Sequence, residues 1–332
     1  MNTMITRAAY WEKLEGDKVA CHLCPVECRL TKGKKGVCRS RYNLDGDLVT
    51  DNYGELVTLA VDPIEKKPLY HFYPGSEIVS TGANCCNLGC LHCQNWQISK
   101  TETPTTYLSP EQLVAAAKRY QSIGVAFTYT EPMVWFEYIR DTAPLLREAG
   151  MEVVLVTNGY INPQPLEELL PVVDAMNVDV KGMDPEFYKR VCKGKLQPVL
   201  DNVRRIFESG THIEITNLLI PGKNDSQEEI RRLIEFVASV SDRIPVHFSA
   251  YYPSYKMDVP ATPPDTLVQA SEMARKVLKY VYLGNVAIPG SSDTRCPSCG
   301  ELLVKRNGYS TRVQGLDGGR CSHCGYETGI VC

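Results

Sequence analysis

Apolar, β-branched runs alternate with longer amphipathic stretches through the middle of the chain, between Cys93 and Cys296. This alternation is typical of βα units that build a parallel sheet. The pattern predicts helices at 109–123, 133–148, 166–170, 198–209, 227–240 and 265–278, and strands at 125–129, 151–157, 176–180, 212–220, 246–252 and 281–286. Because right-handed connections of such units close or nearly close a barrel, we predict an α/β fold, an open partial (β/α)6 TIM-like barrel with sites at the carboxyl ends of its strands.

Composition limits where such a chain acts. The hydrophobic content of 43% and the charged content of 23% are those of an ordinary globular protein. The formal net charge of −3 provides no field that would hold a polyanion, so we expect no nucleic-acid partner from the overall charge. No apolar run approaches the roughly 20 residues that span a bilayer, and the first residues lack the apolar stretch of a signal peptide. We therefore expect a cytoplasmic protein without a membrane partner.

The two ends of the chain differ from the middle and predict a three-part organisation. Residues 1–75 carry glycine, lysine and aspartate turns between short strand-like runs, and we assign them to an N-terminal subdomain with four cysteines. Residues 76–290 form the predicted barrel. Residues 291–332 have too few apolar side chains for a core of their own, so a bound metal would have to supply their stability.

Fourteen cysteines are far more than this composition needs, and in a reducing compartment they indicate metal ligation before disulfides. Three groups of four contain most of them, and Cys192 and Cys332 stand alone. The groups are Cys21, Cys24, Cys28 and Cys38; Cys85, Cys86, Cys90 and Cys93; and Cys296, Cys299, Cys321 and Cys324.

The second group carries the strongest chemical signal. Cys86, Cys90 and Cys93, spaced Cys-x3-Cys-x2-Cys just before the predicted βα units, can hold three corners of an iron–sulfur cube and leave one iron open. An open metal position is what separates catalytic from closed metal sites. Two alternatives remain. Cys85 in place of Cys86 imitates the first three ligands of a plant-type [2Fe–2S] centre, and the triplet could also be a zinc knuckle.

The outer groups indicate structural metal. Cys296-x2-Cys299 and Cys321-x2-Cys324, each pair followed by a glycine, form a zinc-ribbon-like pattern, with a second iron centre or free thiols as alternatives. Cys21, Cys24, Cys28 and Cys38 match no standard pattern. They could close on zinc or on an auxiliary cluster, or stay reduced, and His22 is an alternative ligand.

The C-terminal group lies in a locally basic segment. Between Arg295 and Gly325 five basic residues face two acidic ones, and these include Arg306 and Arg312. We interpret this segment as a solvated surface. RNA binding or modification through the basic ribbon is the alternative, and it predicts salt-sensitive binding that requires Arg306 and Arg312.

Several segments together resemble the radical S-adenosylmethionine (radical SAM) superfamily, in the branch of the pyruvate formate-lyase activating enzymes, and are most similar to the radical SAM enzymes of the AmmeMemoRadiSam system. The segments include CCNLGCLHCQNW, FTYTEP, VTNGY, NVDVKGM, LLIPGKND and the two final cysteine pairs. The resemblance implies that a [4Fe–4S] cluster on Cys86, Cys90 and Cys93 chelates SAM. An electron then enters the sulfonium, and a 5′-deoxyadenosyl radical abstracts hydrogen from a substrate.

The resemblance also implies which strand ends contact SAM. Thr130 and Glu131 lie where relatives receive the SAM amino group, Thr130 through backbone oxygens and Glu131 in support. Asn158 matches the strand end beside the methionine or ribose part. Relatives often carry an acid just before this triplet, and this chain has Val156 there instead.

The resemblance also implies SAM contacts at Asp179, Lys181, Ile220 and Tyr252. Lys181, in Asp179-Val180-Lys181, would pair with the SAM carboxylate, and a lysine at a barrel mouth suits an anion. Ile220 would lie beside the adenine, and Tyr252 stands where some activating enzymes have a histidine near the ribose. Relatives usually have an aromatic residue in place of His92, which leaves its packing role undefined.

The substrate does not follow from these segments, and we expect a small molecule or a partner protein. One alternative is activation of a glycyl-radical enzyme, and another is a non-catalytic iron–sulfur electron carrier. The resemblance further implies an electron donor such as flavodoxin or ferredoxin, and Memo-type and Ammecr-type proteins as partners.

Overall fold

A computed structural model describes residues 5–332. The N-terminal part is built from short antiparallel strands and contains no α-helix within 5–63. These strands are β1 (Thr6–Arg7), β2 (Trp11–Leu14), β3 (Lys18–Cys21), β4 (Arg29–Leu30), β5 (Arg41–Leu44), β6 (Asp47–Thr50), β7 (Glu55–Leu56) and β8 (Thr58–Pro63). A single 3₁₀ turn, Ile64–Lys66, follows β8.

The middle of the chain alternates strands and helices as predicted. Its elements are β9 (Glu77–Gly82), α1 (Trp96–Lys100), β10 (Thr106–Tyr107), α2 (Pro110–Arg119), β11 (Gly124–Phe127), α3 (Phe136–Glu148), β12 (Glu152–Thr157), α4 (Pro163–Leu169), β13 (Ala175–Asp179), α5 (Pro185–Phe187), α6 (Leu196–Glu208), β14 (His212–Leu219), α7 (Gln227–Val240), β15 (Val246–Ala250), α8 (Pro264–Ala274) and β16 (Val281–Gly284). Short 3₁₀ turns at Pro132–Trp135 and Leu170–Val172 precede α3 and extend α4, and a π-helical turn, Tyr188–Cys192, follows α5.

Eight strands form the main sheet in the order β16-β15-β14-β13-β12-β11-β9-β8. All neighbours are parallel except β8 and β9, which are antiparallel. The prediction of a partial parallel α/β fold is confirmed. Two details were wrong: Thr58–Pro63, assigned to the N-terminal subdomain, is the edge strand β8 of this sheet, and the cysteine triplet follows the strand β9 instead of preceding every βα unit.

Local sequence signals explain where the helices begin. Ser109 caps α2 with a reciprocal pair of hydrogen bonds, in which Gln112 N donates to Ser109 Oγ over 3.3 Å and Ser109 N donates to Gln112 Oε1 over 2.8 Å. Ser226 caps α7 by accepting from Glu229 N over 3.2 Å. The central strands β11 and β13 are buried on both faces, which explains why most of their residues are apolar.

The N-terminal strands share the main hydrophobic core with the eight-stranded sheet and its helices. A buried ion pair joins Arg41 of β5 to Glu137 of α3, whose side chains are 1% and 2% exposed. Asn162, before α4, donates its backbone N–H to Leu23 O over 3.0 Å and its side-chain amide to His22 O over 2.8 Å. These bonds hold the segment between Cys21 and Cys24 against the start of α4.

The C-terminal part consists of β17 (Thr294–Arg295), β18 (Leu302–Asn307), β19 (Ser310–Val313), β20 (Leu316–Asp317) and β21 (Arg320–Cys321). It contacts the barrel at the edge strand β16 and at the segment that follows β8. Tyr280 Oη donates to Thr328 O over 2.9 Å, and Tyr282 Oη lies 2.8 Å from Thr294 Oγ1. Val331 N donates to His71 O over 2.9 Å. Among residues 5–332 no helix is both long and apolar enough to cross a bilayer.

A fully buried carboxylate, Glu214, lies in the central strand β14. It accepts from His71 N over 2.7 Å, and its oxygens lie 3.1 Å from His212 Nε2 and 2.6 Å from His247 Nε2. Burial alone would raise the pKa of Glu214, but the hydrogen bonds to His212 and His247 outweigh it and hold the pKa well below its usual value of 4.5.

Glu214 is therefore expected to make the fold acid-labile. Because the folded-state pKa is depressed, the stabilisation is present above the usual carboxyl pKa and is lost as the pH falls through the folded value. Urea unfolding between about pH 6 and about pH 3 should show a steep loss of stability that Glu214→Gln flattens. The exposed Glu208 of α6 supplies the matched variant Glu208→Gln. An unchanged acid slope in Glu214→Gln would contradict this account.

Candidate active site

A cavity of about 310 Å³ lies at the carboxyl ends of the parallel strands, where ligand sites of such folds occur. Three cysteines border it, and so do most of the polar residues that the resemblance implies. Its lining includes Cys86, Cys90, His92, Cys93, Thr130, Glu131, Asn158, Asp179 and Lys181. Cys85 does not border it and packs instead against Cys38 and Val134. This placement favours Cys86 over Cys85 as the first cysteine of the triplet.

The cysteine loop is held by backbone bonds to the π-helical turn. Gly89 N donates to Cys192 O over 2.8 Å, and Leu91 N donates to Val191 O over 3.0 Å. Cys192, an isolated cysteine in the sequence, thereby lies beside Cys90, and hydrogen bonding between the two side chains lowers the pKa of the Cys90 thiol. A thiol with a lowered pKa suits metal ligation, which requires the thiolate.

Cys86 receives two N–H donors at its sulfur. Leu88 N lies 3.4 Å from Cys86 Sγ, and Asn158 Nδ2 lies 3.7 Å from it. The third cysteine, Cys93, has its Sγ 3.2 Å from Ser99 Oγ. No three of the described cysteine sulfurs in this loop lie within 4.8 Å of one another. The loop thus presents three thiols to one cavity, with polar neighbours at the sulfurs of Cys86 and Cys93.

His92, which stands where the resemblance implies an aromatic residue, packs against an aromatic ring. Its ring stacks on Phe187, with ring centroids 6.3 Å apart and planes inclined by 22°. Burial lowers the pKa of His92 to about 3, so the ring is neutral near pH 7. His92 Nδ1 has no hydrogen-bond partner among the described residues. The substitution therefore keeps an uncharged flat ring in place and adds a polar atom beside the cavity.

Glu131 organises the ends of β11 and β12. One carboxylate oxygen accepts from Thr157 Oγ1 over 2.6 Å and from Met133 N over 3.0 Å, and the other accepts from Asn158 N over 2.8 Å. Burial raises the pKa of Glu131 to about 7. Glu131 thereby fixes the strand end that carries Asn158, whose amide contacts the sulfur of Cys86. Apart from the resemblance, no local sequence signal indicates this network.

The turn that carries Thr130 reaches the cysteine loop because of a glycine. Gly82 ends β9, and a Cβ placed there would lie 1.6 Å from Tyr129 O. Glycine is therefore required for the loop after β11 to cross the end of β9. Thr130 uses this approach, since its N–H donates to Ala83 O over 3.2 Å and its hydroxyl donates to Cys85 O.

Lys181 provides the positive charge of the cavity. Its Nζ lies 3.0 Å from Asp179 Oδ2, and its backbone N–H donates to Tyr188 Oη over 3.0 Å. Burial disfavours the ammonium, but Asp179 and the nearby thiols outweigh burial and raise the pKa of Lys181 well above its usual value. A charged lysine thus borders the cavity at neutral pH, as anion recognition requires.

Two residues that the resemblance implies do not border this cavity. Ile220 is fully buried, and the cavity is lined at that strand by Leu218. Tyr252 is 51% exposed and donates through its hydroxyl to Asn285 O over 3.0 Å. It lines a second cavity instead.

The second cavity, of about 910 Å³, lies between the sheet and the C-terminal part. Lys66, Pro68, Ser249 and Asn285 line both cavities, so the two are continuous. The C-terminal part contributes Lys305, Asn307 and Tyr309 to its wall. The site therefore has an inner chamber at the cysteines and a larger outer chamber.

The C-terminal cysteines are arranged differently from the triplet. The ligand atoms of Cys296, Cys299, Cys321 and Cys324 all lie within 4.8 Å of one another. Across the group, Cys296 Sγ is 3.6 Å from Cys324 Sγ, and Cys299 Sγ is 3.7 Å from Cys321 Sγ. Four thiols at this spacing can surround one metal ion. The N-terminal cysteines instead border a separate small cavity.

The basic C-terminal surface contains fewer accessible charges than the sequence indicated. Arg306 is 3% exposed, and its guanidinium lies against Glu65, 3.4 Å from Nε to Oε1, and 4.2 Å from the ring centroid of Tyr70. The alternative in which Arg306 binds RNA was wrong, because Arg306 is buried and its guanidinium contacts Glu65 and Tyr70 inside the protein. Arg312 is exposed.

Comparison with known proteins places this geometry in a family. The profile of the Radical SAM superfamily matches residues 81–237, which contain the cysteine triplet and β11 to β14. An uncharacterized protein of Methanocaldococcus jannaschii is 45% identical, with 98% of this chain and 99% of that one covered. The pyruvate formate-lyase-activating enzyme of Clostridium pasteurianum is 25% identical over 59% of this chain and 86% of its own length.

Among solved structures, a radical SAM methyltransferase from Sphaerobacter thermophilus superposes with a TM-score of 0.51 at 14% identity, covering 85% of this chain and 77% of that one. At this identity the likeness concerns the fold alone. The sequence matches and the cysteine cavity lead to one conclusion: the chain is an enzyme and belongs to the radical SAM superfamily, in the branch of the pyruvate formate-lyase activating enzymes.

Proposed function

We propose that this enzyme reductively cleaves SAM in the inner chamber and uses the product to abstract hydrogen from a substrate in the outer chamber. The observation that carries the proposal is that Cys86, Cys90 and Cys93 border the same cavity as the charged Lys181. Their separated sulfurs and N–H donors fit a [4Fe–4S] cluster. When bound, the cluster supplies one-electron reduction of the sulfonium, which yields the 5′-deoxyadenosyl radical.

The chain's own residues would bind and orient SAM. Lys181 offers its ammonium to the carboxylate, and backbone oxygens near Thr130 receive the amino group. Asn158 lies on the same side of the cavity and contacts Cys86, so it would border both cofactors. Tyr252 lines the outer chamber and would contact the substrate instead of the ribose, and Leu218, which lines the inner chamber, would take the place of Ile220 beside the adenine.

The direct test is anaerobic. The reconstituted, reduced protein is mixed with SAM, 5′-deoxyadenosine is measured by mass spectrometry, and the electron paramagnetic resonance spectrum of the cluster is compared with and without SAM. We expect cleavage and a change of the spectrum. A four-iron cluster whose spectrum does not respond to SAM would overturn the proposal and favour an electron carrier.

Glu131→Gln is expected to lower the rate of SAM cleavage about 10- to 100-fold with the cluster retained. Residues that orient ligands typically contribute this much, and a neutral amide cannot accept all three hydrogen bonds as a carboxylate does. Initial rates of 5′-deoxyadenosine formation against SAM concentration measure the effect. Glu111→Gln, an exposed carboxyl in α2, is the control. Equal rates in the two variants would show that Glu131 does not position the site.

The lining of the outer chamber indicates which part of the chain would contact the substrate. Because its wall includes Lys305, Asn307 and Tyr309, the C-terminal part would contact the substrate directly. Pyruvate formate-lyase and benzylsuccinate synthase activating enzymes are among the relatives, so activation of a glycyl-radical enzyme is the second candidate. A glycine-centred radical on mixing with a candidate protein would favour it.

We further propose that Cys296, Cys299, Cys321 and Cys324 bind zinc. Tetrahedral Zn–S bonds of about 2.3 Å place sulfurs about 3.8 Å apart, close to the 3.6 and 3.7 Å separations. Metal analysis tests this assignment, and stoichiometric iron at this site would contradict it. The last part of the proposed division, residues 291–332, would contain this zinc site.

The cellular setting follows as a proposal from the family. A flavodoxin or ferredoxin would supply the electron in the cytoplasm. Membership of the AmmeMemoRadiSam system, with Memo-type and Ammecr-type partners, is supported by the quoted segments of the sequence. Co-purification of tagged protein with such partners tests it.

A further inference from the structure

The four N-terminal cysteines meet around one small cavity although they span eighteen residues. Cys21 ends β3, Cys24 and Cys28 lie in the turn that follows, and Cys38 precedes β5. The rest of the lining is mostly apolar and includes Leu23, Val26, Leu30, Val37 and Val134. Four thiols that converge inside an apolar wall, without a disulfide among them, form a candidate metal site.

The spacing of these thiols differs from that of the C-terminal group. Among the described residues, only Cys296, Cys299, Cys321 and Cys324 have ligand atoms that all lie within 4.8 Å of one another. A single zinc ion requires such closeness, because its sulfurs lie about 3.8 Å apart. The N-terminal cysteines do not form such a close set. They therefore suit a single zinc ion less well than the C-terminal group does.

Hydrogen-bond donors point at three of the four sulfurs. Val37 N lies 3.4 Å from Cys28 Sγ, and Ser40 Oγ lies 3.5 Å from Cys38 Sγ. Arg41 Nη1 lies 3.7 Å from Cys21 Sγ, and the buried Nε of Arg41 has no partner among the described residues. Donors at sulfur and a nearby cation stabilise the negative charge of a thiolate-bound cluster.

The N-terminal cavity lies directly behind the triplet loop. Asn87 lines it, while the preceding residue, Cys86, borders the inner chamber. Asn158 connects the two sides, since its Nδ2 lies 3.0 Å from Asn87 Oδ1 and 3.7 Å from Cys86 Sγ. Cys38 packs against Cys85, the other neighbour of Cys86. Only the segment 85–87 therefore lies between the N-terminal cysteines and the inner chamber.

We propose that Cys21, Cys24, Cys28 and Cys38 hold a second iron–sulfur cluster that carries single electrons toward the site at Cys86, Cys90 and Cys93. An external one-electron protein donor reduces this cluster by one electron, which passes on without any bond being made or broken. The electron-carrying role rests on the proposed function, whereas the metal site itself does not.

The experiment separates the two iron sites by mutation. The triple variant Cys86→Ala/Cys90→Ala/Cys93→Ala removes the first site, and Cys24→Ala/Cys28→Ala removes the second. Iron, sulfide and zinc are measured after anaerobic reconstitution. The triple variant should retain at least about two irons per chain with matching sulfide, and the double variant should lose that amount. Cys85→Ala, a buried cysteine outside both cavities, should keep the iron of both sites.

Magnetic resonance tests proximity independently of activity. In the fully reduced wild type, two clusters this close should show spin–spin coupling that either multiple variant abolishes. A triple variant without iron overturns the proposal, whether it holds only the one zinc proposed for the C-terminal cysteines or a second zinc as well. If a variant fails to fold, the wild type decides, since a total of about four irons per chain would leave no iron for the second site. If the wild type holds the second iron but does not cleave SAM, the proposed function is refuted and the second metal site is not.

Discussion

Replacing Cys86, Cys90 and Cys93 singly with alanine is expected to reduce SAM cleavage more than about 100-fold, to the background of the assay. Loss of residues that merely orient metal ligands already costs about 10- to 100-fold, and these three are the proposed ligands themselves. Formation of 5′-deoxyadenosine under reducing, anaerobic conditions is the measurement.

Cys85→Ala is the matched control for this prediction. Cys85 is a buried neighbour of Cys86, and its side chain packs away from the inner chamber. The variant should retain iron and most of the cleavage. If Cys85→Ala were inactive and Cys86→Ala active, the ligand register would be the alternative one that begins at Cys85.

Arg306→Ala is expected to lower the free energy of unfolding by about 3–5 kcal/mol, because it leaves the carboxylate of Glu65 buried without its cation. The side chains of both residues are 0% exposed. The substitution also removes the hydrogen bond from Arg306 Nη2 to Tyr70 O, which measures 2.8 Å. Urea unfolding curves give the change.

Arg312 lies on the neighbouring strand β19 and is exposed. Arg312→Ala should change the unfolding free energy by no more than about 0.5 kcal/mol. A loss below about 1 kcal/mol in Arg306→Ala would mean that Glu65 finds another partner. RNA binding that vanished in Arg312→Ala with stability unchanged would restore the alternative function of the basic ribbon.

Local signals in the sequence predicted most of the central elements. Helix α7 was predicted at the bounds that it has, and the structure shows that Ser226 caps its first turn. Helices α2 and α8 end about four residues earlier than predicted, at Arg119 and Ala274. Apolar residues continue past both ends, so hydrophobic spacing alone could not locate them.

Long-range contacts explain what the sequence could not show. The residues next to Arg306 in the sequence predict an exposed charge. Its partners Glu65 and Tyr70 are 241 and 236 residues away, and only the fold brings them to it. The strand β8 was assigned to the wrong part of the chain because nothing local distinguishes an edge strand of the main sheet from a strand of a small subdomain. The role of Glu131 depends on Thr157 and Asn158, which the sheet brings beside it.

The contact of the C-terminal part with β16 also bears on handling of the protein. An uncovered edge strand offers unpaired backbone groups to other molecules, so it promotes aggregation. Cys299 and Cys324 are exposed, which makes the C-terminal group accessible to air and chelators. If the proposed zinc is bound there, a preparation that loses it should therefore precipitate through β16 before the proposed iron sites are damaged. Turbidity should then rise with chelator while the visible iron–sulfur absorbance is still intact.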